Sequence, residues 1–483
     1  LNFIQPNFFI FLIIFLAIYA FAGGRARIWL GIVGSFYFYA YFSATYALLL
    51  LGSSVLDFLV GAKLGRMPKG ESRQKWLWLS VGTNLGLLCV FKYDDFIFDN
   101  VKALLPSLLD FEKEKSMPPM GISFFTFQTM SYTIDIYRGR LKPVESFRHF
   151  LLYISFFPQL VAGPIVRART FLPQIKDACF KRENLRPGLL RFARGFAKKA
   201  CFADSIGVML VDPLFNDVTS ATPMTAWLGL LAYGLQLYLD FSGYSDMAIG
   251  LGRVLGYRFP ENFKYPYLAN SLSDLWRRWH ISLSSWIRDY VYAPLRGDNK
   301  GMWKACYALL GSMTLSGLWH GAGWNFVLFG FLHGLFLSFE KIWDATGAKS
   351  LFTCSFLAVF LHKVGLLKLM CWFWGVGLFF YSLVIFRGHS LSDSIQIYML
   401  MSALSWHDIQ SWSSSLSTFN GKELIVLLFL CSGSHIWEGL SLQDKYERYL
   451  PYPMKCVAVS SLIFLCLHFF PSGKVSPFIY FQF

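Results

Sequence analysis

The stretch Ser316-Gly317-Leu318-Trp319-His320-Gly321-Ala322-Gly323-Trp324-Asn325 sets one ionisable imidazole between two strongly apolar runs, residues 305–319 and 326–339. A group that can carry charge is costly at membrane depth. It is kept there where it faces a protein interior or a water-filled path and does something there. His320 is therefore the first candidate for a functional residue. The run that enters it starts after Lys304 and the run that leaves it reaches Lys341, so both outer ends are expected on the cytoplasmic side and His320 at the apex of a hairpin. About 16 residues at roughly 1.5 Å each rise about 24 Å, less than the roughly 30 Å hydrocarbon core. The spacing predicts an imidazole inside the membrane thickness. Gly317, Gly321 and Gly323 would let the turn and neighbouring helices approach closely.

Composition sets the same environment for the whole chain. Of 483 residues, 55% are hydrophobic and only 15% charged, against roughly a quarter charged in soluble proteins. The 50 Phe suit helices in contact with lipid tails, and the 16 Trp and 24 Tyr can anchor interfaces. The nine cysteines are scattered without a C-x-x-C pair, so no disulfide framework or zinc site is legible. A net charge of +15 could suggest a nucleic-acid partner. The basic residues lie instead in loops between apolar runs, which the positive-inside rule explains and which excludes a nucleic-acid face.

Charge counting orients the runs. Residues 8–22 have no Lys or Arg before them and Arg25 and Arg27 after. They read as a retained helix with its N-terminal end outside. Residues 28–42 and 44–62 cross out and back to a basic loop with Lys63, Arg66, Lys69, Arg73 and Lys75, which is cytoplasmic. Residues 76–91 lead outward to an acidic segment from Asp94 to Glu114, and residues 120–136 return to Arg138, Arg140, Lys142 and Arg148.

Two runs break the alternation. Residues 150–166 have basic residues on both sides and contain Pro158, Gly163 and Pro164, and residues 276–295 are also flanked by basic residues. Re-entrant segments fit both, because irregular backbone at membrane depth is tolerated only where protein or water satisfies its polar groups. Further runs at 188–214, 224–251, 305–319, 326–339, 351–361, 366–386, 424–437 and 456–470 bring the expectation to about 11 spanning helices. The chain is read as one all-α, polytopic membrane domain over residues 1–483, with no convincing repeat and no low-complexity linker.

Other ionisable groups compete for attention. In Trp276-Arg277-Arg278-Trp279-His280-Ile281-Ser282, Arg277 and His280 stand three apart, so on a helix they share a face, as do Trp276 and Trp279. An interfacial helix whose Trp and Arg bind headgroups explains the same pattern. His333, His435 and His468 lie within apolar runs, where helix packing can satisfy a lone histidine. Asp240 and Asp246 stand six apart in an apolar crossing, a poor spacing for a shared helical face. They are expected as ion-paired structural acids, with Arg277 or Arg278 as candidate partners. No phosphate-cradling Gly loop, nucleophile elbow or H-E-x-x-H site is present.

Six blocks then occur in order: residues 124–132, 156–165 and 240–246, Glu261-Asn262-Phe263, residues 276–284, and Leu318-Trp319-His320-Gly321. Together they resemble the membrane-bound O-acyltransferase (MBOAT) family, within it the alginate O-acetylation branch and more distantly the teichoic-acid D-alanyl transfer branch. The resemblance is strong over about residues 120–345 and rests on hydropathy alone in the flanks. It implies helices in a ring around a central funnel in a bacterial inner membrane. It also implies that His320 is the essential histidine, accepting a proton as general base while an acceptor hydroxyl attacks an acyl thioester. His280 matches a second family histidine, catalytic or structural, and Arg277, Arg278, Trp319, Asn325, Asp240 and Asp246 are candidates to line the donor or substrate route.

No tightly bound cofactor is implied. The donor is acetyl-coenzyme A or an acyl-carrier thioester, either of which presents phosphate to Arg and Lys. The partners implied are membrane lipid and periplasmic acetyltransferases that pass the acetyl group to an exported polysaccharide such as alginate. The turn Ala293-Pro294-Leu295-Arg296-Gly297 replaces a more glycine- and asparagine-rich one in that branch, which leaves the polymer open. Two other readings stand beside this one: D-alanyl transfer to a cell-wall polymer, and a transporter or flippase for a polysaccharide or lipid-linked substrate. A transporter would more readily show paired halves with matching broken helices, and no such symmetry is legible.

Overall fold

Apolar runs become helices here wherever proline, glycine or a polar cap does not stop them. The computed structural model describes residues 2–68, 70–106, 118–161, 163–298, 301–346, 366–410 and 479. Among them there is no strand. The chain divides into two compact units, Leu1–Phe196 with Tyr244–Glu261, and Ala197–Gly243 with Asn262–Phe483.

The first unit begins with α1 (Pro6–Phe21), α2 (Gly24–Ala40) and α3 (Ala44–Arg66). Proline opens α1, where its missing N–H costs nothing. Ser43 caps α3 by accepting from the Tyr46 amide at 3.3 Å, and Lys63 and Arg66 close its last turn. There follow α4 (Glu71–Phe91), α5 (Asp94–Leu104), α6 (Ile122–Tyr137), α7 (Phe147–Ser155) and α8 (Arg182–Phe196).

A buried polar knot ties α3, α4 and α6 together. Asp57 accepts from Ser80 Oγ at 2.5 Å and Asn84 Nδ2 at 2.9 Å, and Thr129 Oγ1 donates to Asn84 Oδ1 at 2.8 Å. In a chain this apolar such bonds join helices that lipid would otherwise separate.

The run at 150–166 is interrupted, as its prolines require. It holds α7, a turn at Phe156 and a single helical turn, Phe157–Leu160, with residues 150–160 all buried. Several of its polar groups find protein partners: Phe157 N donates to Ser35 Oγ at 3.0 Å, and Tyr153 Oη donates to the Val166 carbonyl at 3.0 Å.

The long helix α9 (Pro223–Val254) carries the boundary between the units at Gly243. The second unit continues with α10 (Leu272–Arg278), α11 (Ile281–Ile287), α12 (Met302–His320), α13 (Trp324–Ala345), α14 (Leu378–Arg387) and α15 (Leu391–Ser402). Helices α12 and α13 form a hairpin whose turn is Gly321–Gly323. They touch through glycine: a Cβ on Gly330 would strike the Met313 carbonyl, and one on Gly317 would strike the Phe326 carbonyl.

Three helices among the described residues are long and apolar enough to cross a bilayer: Ala44–Arg66, Trp324–Ala345 and Lys368–Arg387. Several other expected crossings are shorter or broken. The run at 188–214 is made of α8, wide turns at Ala197–Ala203 and Gly207–Val211, and short helical pieces. The expected crossings at 351–361, 424–437 and 456–470 lie outside the described residues, as do His362, His435 and His468.

Candidate active site

His280 and His320, with Phe241, Asn262, Trp319 and Phe386 around them, belong to the second unit. His320 is the last residue of α12, 4% exposed, and ends the helix where Gly321 turns extended. Its ring lies 5.0 Å from Trp319 and 5.4 Å from Phe386, nearly perpendicular to both. Phe386 is in turn held by Phe326 at 5.1 Å and Phe329 at 4.9 Å, one turn apart on α13.

His280 does not sit on a helix with Arg277, as the spacing predicts. The helix α10 ends at Arg278, Trp279 is extended, and His280 has φ 41°, a left-handed backbone that side chains other than glycine seldom adopt. The shared face of Arg277 and His280 is therefore absent: Arg277 is exposed while His280 is 0% exposed. The break turns the imidazole inward, 4.6 Å from Phe241 and 5.8 Å from Trp319. Trp319 thus lies beside both histidines.

Asn262 supports this break from a distant part of the chain. Its carbonyl accepts from Ile281 N at 2.9 Å, and its side-chain oxygen accepts from Ser282 Oγ at 2.9 Å and Ser282 N at 3.3 Å. The first two amides of α11 are thereby satisfied without a capping side chain at His280 itself.

The remaining candidates take other places. Asp240 pairs with Lys199, not with an arginine of α10: Lys199 Nζ lies 2.5 Å from Asp240 Oδ1 and 2.6 Å from Asp204 Oδ1, with all three side chains at most 2% exposed. The Ile479 amide donates to the other Asp240 oxygen at 3.0 Å. Asp246 belongs to the first unit, where Arg191 lies 3.0 Å and Arg194 3.2 Å from it. Arg278 pairs with Asp274, one turn back on α10, at 3.0 Å. Asn325 Nδ2 donates to the Gly388 carbonyl at 3.2 Å and so holds the end of α14.

His333 has both ring nitrogens engaged. Trp276 Nε1 donates to Nδ1 at 3.2 Å, and Nε2 lies 2.9 Å from Ser382 Oγ. Ser382 sends its own hydrogen to the Phe379 carbonyl at 2.6 Å, so Nε2 carries the ring proton. His333 is thus a tie between α10, α13 and α14.

Sequence reasoning missed Lys199, although it lies in the apolar run 188–214 and the rule that singled out His320 applies to it equally. It missed Glu340 as well, a residue near the end of an apolar helix whose partners are 67 and 68 residues away.

Two imidazoles from separate elements, meeting at one indole in an aromatic enclosure, can accept and return a proton with water excluded. The family model for the membrane-bound O-acyltransferases matches residues 122–386, which include every residue of this enclosure. The chain belongs to the MBOAT family.

A probable alginate O-acetylase of Pseudomonas putida is 41% identical over 336 residues, 69% of each chain. That of Pseudomonas aeruginosa is 39% identical over 336 residues, 69% of this chain and 64% of the relative. A peptidoglycan O-acetyltransferase of Helicobacter pylori is 34% identical over 420 residues, 81% of this chain and 77% of the relative. More distantly, a teichoic acid D-alanyltransferase of Bacillus subtilis is 31% identical over 238 residues, 46% and 60% of the two chains. The MBOAT assignment makes the chain an O-acyltransferase, and its apolar helices accord with a membrane family.

Proposed function

We propose that this MBOAT protein takes acetyl from a cytoplasmic thioester and relays it across the inner membrane for O-acetylation of an exported polysaccharide. The observation that carries the reading is the convergence of His280 and His320 on Trp319, both imidazoles buried. In the step, an imidazole nitrogen of His320 accepts the proton of the acceptor hydroxyl as its oxygen bonds to the acyl carbon. The carbon–sulfur bond breaks, and the proton passes from His320 to the leaving thiolate. Burial keeps water, the competing nucleophile, away from the thioester. His280 shapes the enclosure beside Trp319, and the exposed Arg277 is the candidate to meet donor phosphate.

The identity to O-acetylases of alginate and peptidoglycan supports acetyl over D-alanyl. The architecture that goes with this reading is a ring of about 11 crossings around a funnel, with the interrupted segments 150–166 and 276–295 dipping inward. The acceptor is a hydroxyl of a periplasmic acetyltransferase partner, which hands the group to the polymer, and lipid surrounds the ring.

His320→Ala is the test. Acetyl content of the exported polymer should fall at least a hundredfold, the order expected for losing a general base, while protein level and polymer export stay at wild-type values. Purified protein in lipid, supplied with the periplasmic partner as hydroxyl acceptor, should likewise transfer label to it from acetyl-coenzyme A or from acetyl-acyl carrier protein, and the variant from neither. Acetylation that survives the substitution removes His320 from the chemistry, and loss of export in its place favours a transporter.

A further inference from the structure

Glu340 on α13 accepts four hydrogen bonds with its two carboxylate oxygens. Oε1 takes the Leu272 amide at 2.7 Å and the Trp374 indole at 3.1 Å, and Oε2 takes the Ser273 amide at 2.9 Å and the Ser273 hydroxyl at 2.6 Å. An ionised carboxylate offers about four lone-pair sites, so this one is fully used. Two of its donors are the first amides of α10, which have no partner within their own helix, and a negative charge at that end also suits the helix dipole. Seven residues earlier on α13, and so on the same face, His333 holds Trp276 in the middle of α10. Only two residues after α10 ends comes His280. The turn that carries it is fixed on its other side by Asn262.

We propose that Glu340 is a positioning residue for acyl transfer: its carboxylate sets the start of α10, so that the left-handed turn at the end of α10 presents His280 to Trp319 and His320. This rests on the reading of those two histidines as the reacting enclosure. The same face of α13 would then serve both histidines, Phe326 and Phe329 backing Phe386 against His320, and His333 with Glu340 holding the helix that precedes the His280 turn. The geometry disfavours a proton-carrying role for Glu340, since every lone pair is already engaged by a donor that has no need of its proton.

The experiment compares Glu340→Gln, Ser273→Ala, His280→Ala and the double variant Glu340→Gln/His280→Ala, in full-length protein reconstituted in lipid. Amide hydrogen exchange across residues 272–282 is read first, because it needs no donor. Glu340→Gln keeps the shape but offers hydrogens where the backbone amides need an acceptor, so exchange should rise through the whole stretch and not at Leu272 and Ser273 alone. With labelled acetyl donor, kcat should fall on the order of ten- to a hundredfold, as for a small misplacement of a reacting group, with donor KM within about twofold. The double variant should be no slower than His280→Ala alone.

Unchanged exchange at 279–282 overturns the proposal whatever the activity. Losses that multiply in the double variant also overturn it, because Glu340 would then act by another route. Wild-type activity in His280→Ala sinks the reading of the enclosure and the proposal with it. The exchange data then still say whether Glu340 holds the turn, which separates the two failures. If Glu340→Gln does not fold, Ser273→Ala removes one donor and leaves three. Exchange at 279–282 should still rise at least twofold, and no rise overturns the proposal.

Discussion

Lys199 lies between Asp204 and Asp240 with all three side chains shut away from solvent. Removing one partner of such a group leaves an uncompensated buried charge, which costs about 3–5 kcal/mol. Lys199→Met should therefore lower thermal stability in detergent by an amount of that order, while Lys198→Met, at a neighbour whose ammonium lies over the Tyr238 ring, should cost about 1 kcal/mol. A Lys199→Met protein that melts with the wild type would show that the two acids do not rely on it. At this scale the sequence was uneven in what it disclosed. His320 stood out because its neighbours on both sides are apolar. The inward turn of His280 did not, because nothing in Trp279-His280-Ile281 specifies a left-handed backbone: the turn is held by Asn262, which precedes it by 18 residues. The pairing of Asp240 was misplaced for the same reason, its lysine being 41 residues upstream in sequence but 2.5 Å away in space.

The hairpin of α12 and α13 was the most legible element. Apolar runs of helical length, separated by Gly321-Ala322-Gly323, specify two antiparallel helices with a tight turn, and Gly317 and Gly330 let them close. Enlarging Gly330 must push against the backbone of α12 at Met313. Gly330→Leu should destabilise by about 1–3 kcal/mol and, since His320 ends the displaced helix, should cut acetyl transfer more than it cuts protein level. Thermal unfolding together with acetyl content per unit of protein measures both, and equal activity per molecule would mean that the hairpin's spacing does not set His320. The broken elements were read less well. Residues 276–295 were marked as irregular from their basic flanks, but the break was not located, since the charges report which side of a membrane a loop prefers and not where a helix stops.

Across the whole molecule, hydropathy and charge carried the class of fold, a membrane protein with helices and no strand among the described residues, and six ordered blocks carried the family. The number of crossings did not follow with equal force. Wide turns at Ala197–Ala203 and Gly207–Val211 and the short α10 and α11 show that an apolar run and a straight spanning helix are different things in this chain. Orientation is open to direct measurement. In a background without native cysteines, Asp99→Cys should react with an impermeant maleimide from outside intact cells, and Arg140→Cys only after the membrane is opened; both side chains are exposed. Labelling of both from the same side would overturn the charge-based topology.

The grip of Glu340 on the first amides of α10 has a consequence for how the protein comes into being. Residues are made in order, and Glu340 follows Ser273 by 67 residues. When α10 leaves the ribosome the carboxylate that its opening amides meet is not yet made, and Trp276 precedes His333 by 57 residues. The turn bearing His280 is therefore synthesised with only its Asn262 side held, and His320 is made before α13 anchors the start of α10. A nascent chain halted anywhere short of Glu340 therefore contains the His280 turn with Asn262 in place but without the carboxylate that meets the start of α10.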